Sequence, residues 1–272
     1  LVLLFVVYLL FGTGLTTAGH QATLRRQLAP QLAPAGAPDR APGPPPVPGG
    51  AIGLLQIPAI QVDKAIVQGV GEGDLRRGPG HYPATPLPGQ PGNSGIAGHR
   101  TTYGAPFYRL NELHAGDRIG VWTRQGRFTY RVQRVFVVQP NDIAVLGPTP
   151  RPELTLTTCN PRYSAAQRLI VQADLVGPAA PATPVSHRPG AARPPSAPTI
   201  GVVGGQGAWA RALGWGLVLV AAAAGSWVLA RLWRRRTGTR WWALTYLAAT
   251  PVCLAVLFLF FRQVSLLLPP SL

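Results

Sequence analysis

Three long apolar runs and one stretch of short alternating segments divide this chain. Residues 1–19 are almost free of polar side chains, and 208–230 and 241–261 are two further apolar runs. At about 1.5 Å per residue, each run can cross the ~30 Å hydrocarbon layer of a bilayer, which predicts three transmembrane helices. No methionine opens the chain, so the numbering is expected to begin inside the first span. A cleaved signal peptide is the competing reading of 1–19. No small-residue cleavage site follows a short apolar core there, which favours an anchor. Trp209, Trp233, Trp241 and Trp242 mark the ends of the later runs and suit an interfacial belt.

Between the first and second runs the hydrophobic period shortens to two. Arg127-Phe128-Thr129-Tyr130-Arg131-Val132-Gln133-Arg134-Val135 alternates as a half-buried strand should. Strands are predicted at 52–57, 64–68, 93–99, 118–123, 127–138, 154–159 and 168–175, with Gln125-Gly126 as a hairpin turn. Helix is scarce: 106–113 predicts about two turns, with Pro106 at the first helical position. Short strands separated by Gly and Pro indicate a mainly β domain closed, or nearly closed, into a barrel.

Proline brackets this region. Residues 29–50 hold eight prolines and 178–198 hold seven, with Ala and Gly between them. Neither tract can bury a core, so both read as extended spacers. The expected organisation is an anchor at 1–19, a Pro-rich linker at 20–50 and a globular domain at 51–177. A Pro/Ala/Gly-rich linker at 178–207 leads to a membrane helix at 208–230, an Arg-rich cytoplasmic loop at 231–240, a second helix at 241–261 and a tail at 262–272.

The net charge of +16 invites a nucleic-acid reading, and its distribution argues against one. Arg231, Arg234, Arg235, Arg236 and Arg240 cluster between the last two apolar runs, as the positive-inside bias predicts for a cytoplasmic loop. Within 51–177, thirteen Lys and Arg face eight Asp and Glu, scattered and without an aromatic-interleaved stripe. If the arginine cluster faces the cytoplasm, the domain lies outside. Arg25 and Arg26, just beyond the first run, are too few to reverse this.

The chain has two cysteines, and Cys253 falls inside the last apolar run. A disulfide to Cys159 would require a membrane-buried thiol to reach an external domain, so none is expected. Cys159 ends the alternating segment Glu153-Leu154-Thr155-Leu156-Thr157-Thr158-Cys159, and Arg168 opens the next strand. If these strands are neighbours, a thiol and a guanidinium meet at one rim of a sheet. An arginine there can favour a thiolate or hold the oxyanion formed when sulfur attacks a carbonyl. Upstream, Asn93-Ser94-Gly95-Ile96-Ala97-Gly98-His99-Arg100 ends a small-residue strand in a histidine, the usual proton-transfer partner for a catalytic cysteine. His81 reads as loop packing and His114 as solvated surface. No Cys-x-x-Cys or His-x-x-x-His spacing suggests a metal, and Ser94 and Ser164 lack the Gly-x-Ser-x-Gly elbow.

These three settings together resemble the sortases, membrane-anchored cysteine transpeptidases of Gram-positive bacteria. The resemblance covers roughly 51–177. Gly80-His81-Tyr82-Pro83, Leu87-Pro88-Gly89-Gln90-Pro91-Gly92-Asn93 and His99-Arg100-Thr101-Thr102-Tyr103-Gly104 look most like the class E sortases of actinobacteria. It implies a sortase-like eight-stranded β-barrel with short helices and the site at one rim, in addition to the three membrane helices. By the same resemblance Cys159 is the nucleophile, His99 the general acid and base, and Arg168 the oxyanion stabiliser. Arg162 and Tyr163 fall where sortases build a loop over the substrate groove and, with Thr158, are the candidate substrate-binding residues, a surface-loop role being the alternative for the first two; no cofactor or metal is implied. The partners implied are C-terminal LPxTG- or LAxTG-type sorting signals of secreted proteins. The acceptor would be an amine of a peptidoglycan precursor or a pilin. The localisation implied is a multi-pass cell-membrane protein with an extracytoplasmic domain. The competing reading is a sortase-like module that binds peptides or organises membrane partners without turnover.

Overall fold

The computed structural model describes residues 2–32, 44–183, 208–237 and 242–265. Residues 33–43 and 184–198 of the proline-rich tracts, with 199–207, 238–241 and everything from 266, lie outside the described residues. Helices α1 (Val2–Val7) and α2 (Thr13–Leu28) open the chain, with a π-helical turn at Tyr8–Gly12 between them. Strands β1 (Ala51–Ile57) and β2 (Val62–Gln68) follow, then the one-turn α3 (Glu72–Leu75), β3 (Gly80–His81) and β4 (Asn93–Ala97). After β5 (Arg118–Thr123), β6 (Arg127–Val138), β7 (Glu153–Asn160) and β8 (Gln167–Val176) come α4 (Ala208–Thr237) and α5 (Trp242–Ser265).

These elements form two compact units. One comprises Leu1–Gly12 with Ile200–Pro269, the other Thr13–Thr199 with Pro270–Leu272. In the first, two helical stretches are long and apolar enough to cross a bilayer, Ala210–Arg235 and Tyr246–Ser265. The expected three membrane helices are therefore two among the described residues. The segment read as a span over 1–19 changes character part-way. From Thr13 onward it is a polar helix that buries Thr13, Thr17, Gln21, Leu24 and Leu28, spaced three and four apart, on one face. Residues 20–28, which composition assigned to the linker, continue that helix. Helix α4 runs on through Thr237, so Arg231, Arg234 and Arg235 lie on its last turns.

The second unit is a closed barrel with strand order β1-β2-β3-β4-β7-β8-β6-β5. Its interior holds Leu55, Ile57, Ile66, Ile96, Tyr130, Leu154, Leu156 and Val171, joined by Phe107, Leu110 and Leu113 from the β4–β5 connection. Strand β6 alternates strictly from Arg127 to Val132, because its outer face meets solvent. Strands β1 and β2 are instead buried on both faces over Ile52–Leu55 and Ala65–Gln68. Their outer face is covered by α2, where Leu24 and Leu28 pack on Leu54, Ala65 and Val67. Gln21 fastens the helix there: it accepts from the Ala65 amide at 2.7 Å and donates to the Ala65 and Arg77 carbonyls.

All seven predicted strands are present, and only the two-residue β3 has no counterpart in the sequence reading. The two-turn helix predicted over 106–113 is instead a series of turns with a 3₁₀ segment at Leu110–Glu112. Phe107, Leu110 and Leu113 recur every three residues, and all three are buried, which suits 3₁₀ geometry better than α.

Candidate active site

Two strand pairings assemble the site. Strands β7 and β8 are antiparallel with Cys159 directly opposite Arg168, so thiol and guanidinium are cross-strand neighbours. Strands β4 and β7 are parallel, with Ala97 opposite Thr157. His99 and Cys159 each lie two residues beyond that pair, which brings a histidine sixty residues upstream to the rim where the cysteine sits. The pairing continues past the strand end: the Gly98 amide donates to the Thr157 carbonyl at 3.1 Å, and the Thr158 hydroxyl donates to the Gly98 carbonyl at 2.8 Å. A parallel pair requires a long crossover connection, and residues 98–152 supply it.

Small residues bring the layers close here. A Cβ at Gly98 would lie 2.6 Å from the Phe107 ring, and one at Gly95 would lie 2.9 Å from the Tyr82 ring. Either substitution would push the histidine-bearing strand off its neighbours.

His99 is buried, and its Nε2 has no hydrogen-bond partner. Burial, with the Arg76 guanidinium second, lowers its pKa from 6.5 to about 4, so the imidazole rests neutral near pH 7. The Tyr103 ring lies 4.9 Å from the imidazole, centre to centre, and the Arg76 guanidinium sits 5.5 Å from the Tyr103 ring centroid. Arg168 donates from Nη1 to the Ala165 and Gln167 carbonyls, both at 3.0 Å, which holds its head at the start of β8. Cys159 and Cys253 are both free thiols, and Cys159 is half-buried.

The remaining residues proposed from sequence are placed unequally. Thr158 is buried with its hydroxyl committed to the β4 backbone, so its position serves the strand pairing. Arg162 lies 4.2 Å over the Tyr108 ring and reaches Asn111, so it ties the β7–β8 connection to the turn at 106–113. Tyr163 is 61% exposed, with a left-handed φ of 64°, and presents its ring to solvent beside the rim.

Sequence reasoning missed three residues. Tyr82 lies within electrostatic reach of Arg168 and Cys159; burial raises its phenol above the usual value and the guanidinium opposes that. Arg76 sets part of the potential at His99 from the loop after α3. Arg100 donates from Nη1 to the Cys159 carbonyl at 3.0 Å and to Asn160 Oδ1 at 2.7 Å. Tyr82 and Arg100 belong to Gly80-His81-Tyr82-Pro83 and His99-Arg100, but nothing local in the sequence gives them a role.

The geometry fits what comparison with known proteins finds. A sortase-domain family model matches residues 55–176, the barrel from β1 to β8. Sortase SrtE1 of Streptomyces coelicolor is 37% identical over 145 residues, 47% of this chain and 41% of that protein. Residues 55–176 are a sortase domain. Sortase D of Bacillus subtilis is 36% identical over 117 residues, 43% of this chain and 58% of that protein. The crystal structure of sortase E1 from Streptomyces coelicolor is 34% identical, covering 50% of this chain and 92% of that one, with a TM-score of 0.45. The chain thus spans about half the length of the curated sortases it matches, 41% and 58% for the two named.

Proposed function

We propose that this protein is a membrane-anchored, class E-like sortase. It cleaves an LAxTG- or LPxTG-type sorting signal between threonine and glycine and joins the threonine carboxyl to an amine of a cell-wall precursor or pilin. The observation that carries the reading is the register of β7 on β8, which sets Cys159 opposite Arg168 at the rim that His99 shares.

In the proposed sequence, neutral His99 takes the thiol proton as sulfur attacks the threonine carbonyl carbon. The carbonyl oxygen becomes an oxyanion beside the Arg168 guanidinium. The carbon–nitrogen bond breaks, His99 returns the proton to the departing glycine amine, and a thioester remains on Cys159. An incoming amine attacks that thioester and loses its proton to His99, and the thiol is restored. A pKa lowered to about 4 makes the transient imidazolium of His99 a strong acid toward the leaving amine.

Arg231, Arg234 and Arg235 at the end of α4 support a cytoplasmic placement of that end and an external barrel. An impermeant thiol reagent on intact cells tests this: Asp142→Cys should label and Arg235→Cys should not, and the reverse pattern rejects the topology.

The activity is tested with the full chain in detergent micelles, LAxTG and LPxTG peptides and a glycine-based amine. An adduct on Cys159 with the mass of the peptide cleaved after threonine, released by hydroxylamine or the acceptor, is the expected result. Saturable peptide binding that persists in Cys159→Ala, with no adduct on either signal, would identify a non-catalytic binding module instead.

A further inference from the structure

We propose that Arg100 is the positioning residue of this site, holding the end of β7 so that the Cys159 thiol stays opposite Arg168. The inference rests on the sortase reading above, and it concerns a residue that neither the motif nor the comparisons assign. Arg100 follows His99 directly and is 6% exposed. Its Nη1 donates to the Cys159 carbonyl at 3.0 Å and to Asn160 Oδ1 at 2.7 Å, and its Nη2 donates to Asn111 Oδ1 at 3.0 Å. Asn160 in turn donates to Gln167 Oε1 at 3.1 Å, its register partner on β8. One guanidinium therefore links the 3₁₀ turn at Leu110–Glu112, the backbone of the nucleophile itself and the first residue of β8.

This placement matters because β7 ends one residue after the thiol. The Cys159–Arg168 and Asn160–Gln167 pairs are the last of the ladder, where strands otherwise fray. A planar fork with donors fixed in direction can span two acceptors on adjacent residues. An ammonium group cannot hold the same geometry. The groups facing Cys159 are Arg168 from β8, Tyr82 from the β3–β4 connection and Arg100 from the residues after β4. Arg162 and Tyr108 lie within electrostatic reach of Arg100. A purely structural staple would also stabilise the ladder end. The distinguishing claim is that losing the fork displaces the thiol from its partners while the peptide-binding surface survives.

The test uses the full chain in micelles with Arg100→Gln, Arg100→Lys and Cys159→Ala. Both Arg100 variants should lose about 10–100-fold in kcat, the scale of a nucleophile misplaced by about 1 Å, with KM changed by less than about threefold. The rate of Cys159 alkylation by iodoacetamide, followed by mass spectrometry on its own peptide to separate it from Cys253, should fall severalfold in both. Arg100→Lys keeping kcat within about threefold of the unmodified protein, or a loss confined to KM, would overturn the inference. Should the Arg100 variants fail to fold, Asn111→Ala removes one anchor of the fork from an exposed position. It should lower kcat about three- to tenfold at unchanged KM, and an unchanged kcat there also overturns the proposal. If the unmodified protein forms no adduct on Cys159, the transpeptidase reading fails, while the alkylation rates still decide the role of Arg100.

Discussion

The flank where α2 lies on β1 and β2 and the rim where β4, β7 and β8 end both bury polar side chains, with opposite outcomes. On the flank, Gln21 uses both ends of its amide on the Ala65 and Arg77 backbone, and Thr17 donates to the Arg76 carbonyl at 2.9 Å. On the rim, His99 Nε2 and Arg100 Nε are buried without partners. His81 sharpens the contrast. Its pKa is also lowered to about 4 by burial, yet its ring nitrogens meet Gln68 Oε1 and the Pro86 carbonyl, each at 2.9 Å. A buried polar atom without a partner costs about 1–3 kcal/mol. The rim carries that cost where chemistry needs an open nitrogen, and the flank satisfies its groups where only stability is needed.

Substitutions in the two regions should therefore separate activity from stability. The largest effect belongs to Cys159→Ala, which should abolish thioacyl formation and transpeptidation without lowering the unfolding midpoint. His99→Ala should be nearly as damaging. Residual turnover in Cys159→Ala above the uncatalysed rate would show another nucleophile at the rim.

Next, Arg168→Ala should reduce turnover about 10²–10³-fold, the scale of losing one oxyanion donor. Arg168→Lys should rescue poorly, because a point charge does not reproduce the planar fork. Steady-state kinetics on both variants decides this, and near-normal turnover in Arg168→Ala would remove its assigned role.

On the flank, Leu24→Ala should cost about 2–5 kcal/mol in urea unfolding, the range for a fully buried leucine. Turnover per folded molecule should stay within about twofold. A large kcat loss at full folding would mean that the flank and the rim are coupled.

The smallest effect is in acid. Both buried histidines have pKa values lowered from 6.5 to about 4. Between those values the unfolded chain binds more protons than the folded one, so their contribution to stability is complete above about pH 6.5 and declines as pH falls toward 4. Together they should remove a few kcal/mol over that interval. His81→Gln should flatten the slope of unfolding free energy against pH, and an unchanged slope would place the acid sensitivity elsewhere.

The barrel was legible because its strands are written in local pattern. Phe128, Tyr130 and Val132 alternate with polar partners, and Thr155 to Cys159 repeat β-branched residues up to the thiol. The cross-strand meeting of Cys159 and Arg168 follows once their strands are taken as neighbours. Three features were not legible. The two residues of β3 are too few to set a period. Helix α2 was concealed because residues 1–12 are uniformly apolar and run into it. Its buried face at Thr13, Thr17, Gln21, Leu24 and Leu28 has a mixed composition that a hydropathy window averages away. The role of Arg100 has no local signature, because its partners at Asn111, Cys159 and Asn160 come from two other segments.

The parallel pairing of β4 with β7 has a consequence for how this architecture tolerates change. Chain length between residues 100 and 152 does not determine where His99 meets Cys159; the two-residue overhang beyond the Ala97–Thr157 pair does. Insertions or deletions in the tips of the intervening connections leave that overhang intact, so the sixty-position interval in the sequence is a free variable. Removing a single residue between Ala97 and His99 is a different kind of event. It would turn the histidine to the opposite side of the strand line and uncouple the two halves of the proton path, however well the barrel still closed.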